Sequence, residues 1–228
     1  MIEKISDLVI KGIKSANYRE AVKHHGKRHY SPTDSGKCPR ALWYTWKGFP
    51  KVAYSPKELT IFAIGTITHE YIQSVVKNQV KDEFRIDTTW NGLPVAGYVD
   101  SIIFDGEKLV VVDYKTTGSF GFSYVELKPK EDHVKQVNLY LDLLGMDDGC
   151  VLYWNKENGE MKEHHFKRDP IIVNEIKDLF LLVQRHLDDN TLPEAKYEPS
   201  KGWKCKYCKF ADYCKNNSNS FEQKTITV

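Results

Sequence analysis

A strand built for a protein core ends on charged residues in this sequence. Residues 109–118 read LVVVDYKTTG, and the four apolar residues at the start are typical of a strand that is buried on both faces. Asp113 and Lys115 follow two positions apart, so their side chains lie on the same face of the strand. A buried strand with a carboxylate and an ammonium at its end predicts a polar site at the edge of the core.

The preceding strand supplies a second carboxylate. Residues 94–104 read PVAGYVDSIIF, and the turn at 105–108 separates them from the LVVV strand. If the middle two residues of this turn form the hairpin tip, Asp100 lies opposite Asp113, where Cβ atoms are ~4.5–5.5 Å apart. A tip one residue earlier would instead pair Asp100 with Val111, and the sequence allows both registers. The first register predicts two facing carboxylates, which suit a hard divalent cation.

Two predicted helices carry further polar residues. The helix that begins with the capping signals of 55–58 and runs to about residue 80 contains His69, an intermediate ligand able to join two carboxylates around Mn²⁺ or Mg²⁺. The helix predicted at about 131–145 places Gln136 and Tyr140 four residues apart, on one face. A structural role for each of these residues is the alternative, and the sequence leaves both open.

The predicted elements alternate between helix and strand, which favours an α/β fold with a mixed sheet. The Asn91-Gly92 dipeptide is typical of a hairpin turn. The elements are a helix at 2–14, the helix at 55–80, strands at 84–90, 94–104 and 109–117, the helix at 131–145, two strands in CVLYWN and EMKEHHFKR joined by an Asn-Gly turn, and a helix at 170–189.

The cysteines suggest a soft-metal site. CKYCKFADYC contains Cys205, Cys208 and Cys214, and Cys38, about 165 residues earlier, is the natural fourth ligand. Zn²⁺ and an iron–sulfur cluster both suit four thiolates. Cys150, inside a strand-like run, is interpreted as a small buried hydrophobe.

Aromatic residues alternate with lysines around the last three cysteines. Such a pattern either stacks and binds single-stranded DNA or shields a metal cluster, and the sequence favours neither. The residues are Trp203, Tyr207, Phe210 and Tyr213, with Lys201, Lys204, Lys206 and Lys209.

These motifs together resemble a known enzyme family. GYVD (97–100), DYK (113–115) and QVNLY (136–140), with GTITHE upstream, are similar to the motifs of PD-(D/E)xK nucleases of the RecB-like branch. The split cysteine set, with CPR at 38–40, resembles the iron–sulfur domains of AddB-type subunits and CRISPR-associated or phage exonucleases. The resemblance implies a restriction-endonuclease-like core, a mixed central sheet flanked by helices, with N- and C-terminal segments joined by the cluster.

The resemblance also implies roles for the site residues. His69, Asp100 and Asp113 would bind Mg²⁺ or Mn²⁺, with the carbonyl of Tyr114 as a further ligand. Lys115 would polarise the attacking water or stabilise the developing charge. Gln136 would orient the lysine or the metal site, and Tyr140 would contact DNA. A [4Fe–4S] cluster would be held by Cys38, Cys205, Cys208 and Cys214.

The expected function is therefore a divalent-metal-dependent DNA exonuclease acting on single-stranded DNA or DNA ends. The alternatives are a structure-specific endonuclease or CRISPR-adaptation processing nuclease, and a non-catalytic DNA-binding iron–sulfur module. We expect one nuclease domain over 1–228, with its core at about 55–190 and cluster-binding segments at about 30–50 and 195–216. The lack of an apolar stretch of ~18–20 residues favours a soluble, intracellular protein with no membrane partner. The net charge of +2 does not by itself indicate a polyanionic partner. The resemblance implies a cytoplasmic protein, prokaryotic or phage-encoded. Recombination, replication or CRISPR-adaptation proteins are possible partners.

Overall fold

The computed structural model describes residues 4–23, 28–196 and 202–216. Within these ranges the chain forms eight α-helices and five β-strands, with a short 3₁₀ turn at Pro32–Asp34. The helices are α1 (Ile5–Lys23), α2 (Pro39–Trp46), α3 (Pro56–Val75), α4 (Ser119–Leu127), α5 (Glu131–Leu144), α6 (Pro170–Asp188), α7 (Trp203–Lys206) and α8 (Ala211–Asn216). The strands are β1 (Gln79–Trp90), β2 (Leu93–Phe104), β3 (Leu109–Thr117), β4 (Asp148–Asn155) and β5 (Met161–Lys167).

The chain divides into two compact units. The first comprises residues 1–37 and 54–181, and the second comprises residues 38–53 and 182–228. The first unit contains the sheet, whose described strands follow the order β1-β2-β3-β4-β5. Every neighbouring pair is antiparallel except β3 and β4, which are parallel and are connected through α4 and α5. A mixed sheet flanked by helices confirms the predicted fold class.

Strand β3 is buried on both faces. On one face Val111 packs in a cluster with Val137 of α5 and Phe122 of α4. On the other face Val110 and Val112 pack with Ile72 of α3. This confirms the interpretation of a core strand for Val110–Val112, whereas Leu109 is 44% exposed. The charged residues that follow lie between two layers of helices.

The β2–β3 hairpin has the first of the two predicted registers. Phe104 pairs with Leu109 and Ser101 with Val112. The N–H of Asp105 donates to the carbonyl of Lys108 at 3.1 Å, and the Asp105 carboxylate accepts the N–H of Lys108 at 2.9 Å. The pairing of Asp100 with Val111 is excluded, because Val111 pairs with Ile102.

The predicted helix boundaries needed correction on the N-terminal side of the sheet. The capping box of α3 forms as predicted, since the Glu58 carboxylate accepts the Ser55 N–H at 2.7 Å. The helix nevertheless ends at Val75 rather than near residue 80, because Val76 takes an extended conformation that leads into β1. The first helix runs over Ile5–Lys23, beyond the predicted end at residue 14.

Helix α4 was missed by the sequence patterns. Its sequence, SFGFSYVEL, mixes glycine, aromatic and β-branched residues that have modest helix propensity. Phe122 and Val125 are buried against the sheet and anchor the helix, so tertiary packing decides its formation. No helix in the described ranges is long and apolar enough to cross a membrane.

The second unit has its own aromatic core. Trp43, Tyr44 and Phe210 are buried together. Arg40 Nε donates to the carbonyl of Pro193 at 2.7 Å, which ties α2 to the segment after α6. Cys38 is the N-cap residue of α2, so its position is defined by the start of that helix.

Candidate active site

Strand β3 and helix α5 bring three polar side chains together. Asp113 is 2% exposed, and its Oδ2 lies 2.7 Å from Lys115 Nζ. Gln136 Nε2 donates to Asp113 Oδ1 at 2.9 Å, and Gln136 Oε1 accepts from Lys115 Nζ at 3.3 Å. One amide thus holds the carboxylate and the ammonium at once. This is the contact that an orienting role of Gln136 requires.

Strands β2 and β3 separate at Asp100. In the described ladder the last pair at this end is Ser101 with Val112. The next inter-strand contact is made by a side chain, since Asp100 Oδ2 accepts the N–H of Tyr114 at 2.8 Å. The Asp100 carboxylate therefore supplies an acceptor to β3 just beyond Ser101–Val112, the last backbone pair of the ladder.

His69 of α3 lies beside this carboxylate. Its Nδ1 is 3.6 Å from Asp100 Oδ2, and its ring is edge-on to that of Tyr114 with centroids 6.1 Å apart. Burial, and next the positive charge of Lys115, lowers the pKa of His69 below its usual value. The imidazole is therefore neutral at physiological pH and keeps a lone pair for a metal ion.

The two carboxyl groups resist ionisation. Burial raises the pKa of Asp113 to about 6; the Lys115 ammonium opposes this rise and the Asp100 charge adds to it. Burial likewise raises the pKa of Asp100, again opposed by Lys115. One ammonium does not compensate two partly desolvated carboxylates, so the site favours a further cation.

The donor set fits a divalent ion such as Mg²⁺ or Mn²⁺. Asp113 Oδ2 is buried and has no hydrogen bond of acceptable geometry in the described part of the chain, although Lys115 Nζ is close to it. Two carboxylates and a neutral imidazole are ligands that Mn²⁺ and Mg²⁺ accept. The described ranges do not gather ligand atoms of His69, Asp100 and Asp113 within 4.8 Å of one another. Chelation by all three therefore requires these side chains to move closer together.

Tyr140 has a different position from the one predicted. Its side chain is 2% exposed, and its hydroxyl donates to the carbonyl of Tyr98 at 2.5 Å. The predicted contact with DNA is not available to a side chain buried in this way. The Gln136–Tyr140 face turns toward the sheet, and Tyr140 reaches across to β2, two residues from Asp100.

Two further residues near the site carried no recognised sequence signal. Gln73 Nε2 donates to the backbone carbonyl of Asp100 at 3.0 Å. The i, i+4 spacing of His69 and Gln73 on α3 could have indicated this, because both face the same strand. The charge of Glu83 on β1 raises the pKa values of His69 and Asp100, so it lies near them.

The four predicted cluster cysteines come together in the second unit. Burial is the main cause that raises the pKa of Cys208, and the charges of Cys38, Cys205 and Cys214 raise it further. Such effects require proximity, so the thiols are neighbours. Arg40 Nη1 donates to Cys214 Sγ at 3.5 Å. No disulfide forms among the described cysteines.

The aromatic residues around these thiols differ in exposure. Phe210 is 5% exposed and stacks on Tyr44 with centroids 5.4 Å apart, and Tyr213 packs against Tyr44 at 5.9 Å. These rings belong to the core beside the thiols, as the shielding interpretation expects. Tyr207 is 78% exposed. Lys201 and the side chain of Trp203 lie outside the described residues.

Comparison with known proteins identifies the family. A model described as the PD-(D/E)XK nuclease superfamily matches residues 57–215, more than two thirds of the chain. The chain belongs to the PD-(D/E)XK nuclease superfamily. The match includes His69, Asp100, the DYK motif and Gln136, so the residues assembled above lie within the matched region, and the superfamily prediction is confirmed.

Solved structures of similar fold are distant in sequence. The structure titled SSO0001 aligns with a TM-score of 0.61 at 21% identity, covering 93% of this chain and 98% of that one. The alkaline exonuclease LHK-Exo from Laribacter hongkongensis gives a TM-score of 0.45 at 10% identity, covering 71% and 91%. A phage-related exonuclease from Haemophilus somnus 129PT gives 0.43 at 12% identity, covering 67% and 80%. No curated protein shows a significant sequence match.

Proposed function

We propose that this nuclease is a divalent-metal-dependent DNA exonuclease acting on single-stranded DNA or DNA ends. The observation that carries the proposal is the buried Asp113 carboxylate, which is paired with Lys115 and lies next to Asp100 and neutral His69. A structural site would not need two carboxyl groups with raised pKa values around one ammonium. Superfamily membership makes phosphodiester hydrolysis the chemistry that such a site serves. The exonuclease mode rests on the resemblance of its motifs to RecB-like nucleases.

Each residue would contribute a separate function. His69, Asp100, Asp113 and the carbonyl of Tyr114 would hold Mg²⁺ or Mn²⁺, which when bound supplies a hydroxide nucleophile at neutral pH and neutralises phosphate charge. Lys115 would polarise the attacking water or stabilise the negative charge that develops on the phosphate oxygens.

Two residues of α5 would act by positioning. Gln136 would keep the Lys115 ammonium in place, since its Oε1 accepts from Lys115 Nζ and its Nε2 donates to Asp113 Oδ1. Tyr140 would hold β2 in place by donating to the carbonyl of Tyr98, and so would help to position Asp100, two residues further along β2.

We also propose that Cys38, Cys205, Cys208 and Cys214 hold a structural [4Fe–4S] cluster. The other three thiols lie near Cys208, whose pKa their charges raise, and Arg40 donates to Cys214. In the described chain no three of these sulfurs lie within 4.8 Å of one another. A single zinc ion on the same four thiolates is the alternative. The role of the cluster would be to stabilise the second unit.

The nuclease proposal is tested on linear and circular DNA. Purified protein with Mg²⁺ or Mn²⁺ should degrade labelled linear DNA and leave circular single strands intact. Asp113→Ala and Lys115→Ala should abolish cleavage, whereas the exposed control changes Glu107→Gln and Lys162→Ala should not. Cleavage of circles would show an endonuclease. Activity that survives both active-site changes would sink the assignment, and metal-independent DNA binding without cleavage would favour the non-catalytic module.

The cluster proposal is tested separately. Anaerobically purified protein should show broad visible absorption near 400 nm, about the region of iron–sulfur charge transfer, with about four iron and four sulfide per chain. A colourless protein with one zinc would overturn the cluster and leave the nuclease assignment standing.

A further inference from the structure

A second group of metal-binding side chains lies on β4 and β5. Ligand atoms of Cys150, Glu163 and His165 are all within 4.8 Å of one another. In the residues that the structure describes, this is the one set of three or more histidine, cysteine or acidic side chains gathered so closely. None of the three belongs to the candidate active site or to the four-cysteine set.

The strand pairing brings these side chains together. Cys150 of β4 and His165 of β5 are direct antiparallel partners. Glu163 lies two residues before His165, so it projects from the same face of β5. All three ligands therefore stand on paired strands rather than on a flexible loop, and their spacing is set by the backbone ladder.

The chemistry of the group selects a class of ion. A thiolate, an imidazole and a carboxylate together suit Zn²⁺ or Co²⁺, whereas Mg²⁺ prefers oxygen ligands alone. His165 Nε2 lies 2.6 Å from Glu163 Oε2, and their side chains are 51% and 64% exposed, so an ion can enter from solvent. Cys150 is 2% exposed and closes the inner side of the site. We propose that Cys150, Glu163 and His165 bind one Zn²⁺-like ion, with water as the fourth ligand.

The competing interpretation is a buried thiol beneath a surface ion pair. In the metal-free protein, burial and the Glu163 charge raise the pKa of Cys150 to about 12, so the thiol is protonated. Binding must then release the Cys150 proton, and two anionic ligands balance the charge of the ion. A bound ion would clamp the edge strand β5 onto β4. Cys150 is also the register partner of Val112, the residue before Asp113.

Cobalt titration of the whole protein tests the proposal. Co²⁺ bound to a thiolate gives a sulfur-to-metal absorption band, and Zn²⁺ should displace it. Wild type should bind one Co²⁺ more per chain than His165→Gln or Glu163→Gln does. If the variants still bind this ion, their dissociation constants should be at least about tenfold higher than that of wild type. Lys162→Gln, an exposed β5 residue on the other face, should behave as wild type. Because all these proteins keep the four-cysteine set and the active site, only the difference between them counts.

Two readouts keep the test decisive. Cys150→Ser should remove the band, and because this buried change could unfold the protein, the exposed His165→Gln change carries the same test. Zn²⁺ should raise the melting temperature of wild type more than that of His165→Gln. Equal stoichiometry, affinity and spectra in all variants would overturn the proposal and leave a core thiol under a surface pair. Mg²⁺-dependent cleavage should be unchanged in His165→Gln, which separates this site from the nuclease site.

Discussion

Replacing Asp113 by asparagine should stabilise the metal-free protein at alkaline pH while abolishing its metal binding. The carboxyl group is buried and its pKa is about 6, against an ordinary 3.8. In the folded state this carboxyl binds its proton more tightly than in the unfolded state, so ionising it costs folding free energy. The cost is complete above the folded pKa and fades as pH falls toward the unfolded value.

The size of the effect follows from that difference. At 1.36 kcal/mol per pKa unit, the ionised carboxylate destabilises the metal-free protein by about 3 kcal/mol at pH 8, and by roughly half of that at pH 5. Asparagine occupies nearly the same volume, carries no charge and still accepts the Gln136 hydrogen bond. It loses the attraction to Lys115, whose side chain is 21% exposed and remains partly solvated. The gain at pH 8 is therefore at most about 3 kcal/mol.

Urea unfolding in the presence of EDTA measures this gain directly. The difference between Asp113→Asn and wild type should be positive at pH 8 and about half as large at pH 5. Adding Mn²⁺ at 100 times its dissociation constant should stabilise wild type by about 2.7 kcal/mol and the variant by little. Glu107→Gln, on the exposed hairpin tip, should show neither effect. A variant that is less stable than wild type at pH 8, or a difference that does not change with pH, would refute the reasoning.

Three other predictions test the surroundings of the site. Tyr140→Phe removes the hydrogen bond to Tyr98 and should cost about 1–2 kcal/mol in urea unfolding, with DNA affinity measured by fluorescence anisotropy unchanged because the side chain is buried. Gly97→Ala places a Cβ 2.7 Å from Pro32 Cδ, so we expect about 1–3 kcal/mol of destabilisation by the same assay, and no loss would mean that the 3₁₀ turn yields easily. Cys208→Ser should abolish the visible absorption of the anaerobic protein and lower its melting temperature, and an unchanged spectrum would exclude a cluster held by this residue.

The central strands were predictable because two independent signals agree there. The apolar run of β3 predicts a strand buried on both faces, and the turn limits its pairing with β2 to two registers, one of which is the observed pairing of Phe104 with Leu109. The turn length could not predict that the β2–β3 ladder opens beyond Ser101. This opening depends on the Asp100 side chain replacing a backbone acceptor for Tyr114, which is a tertiary choice.

Other features depended on contacts that local patterns do not encode. Helix α4 forms because Phe122 and Val125 pack against the sheet. Tyr140 is buried because the face of α5 that carries it turns toward β2. The β4–β5 pairing shows the same limit. A two-residue turn at the Asn-Gly dipeptide would place Lys167 opposite Cys150, but the loop is longer and His165 takes that position.

The charges of the candidate site also explain why metal and DNA should bind together. Two carboxyl groups, Asp100 and Asp113, share one ammonium, that of Lys115, and the charge of Glu83 also acts on Asp100, so ionised carboxylates give the metal-free site an excess of negative charge. A phosphodiester that approaches such a site is repelled. A bound divalent ion would offset this negative charge, and His69, Asp100 and Asp113 would hold it where it could attract a phosphate oxygen. By linkage, DNA must strengthen metal binding by the factor by which the metal strengthens DNA binding. Because burial raises the pKa of Asp113, a bound divalent ion would favour its ionised form, and DNA binding at the site would depend on that ion.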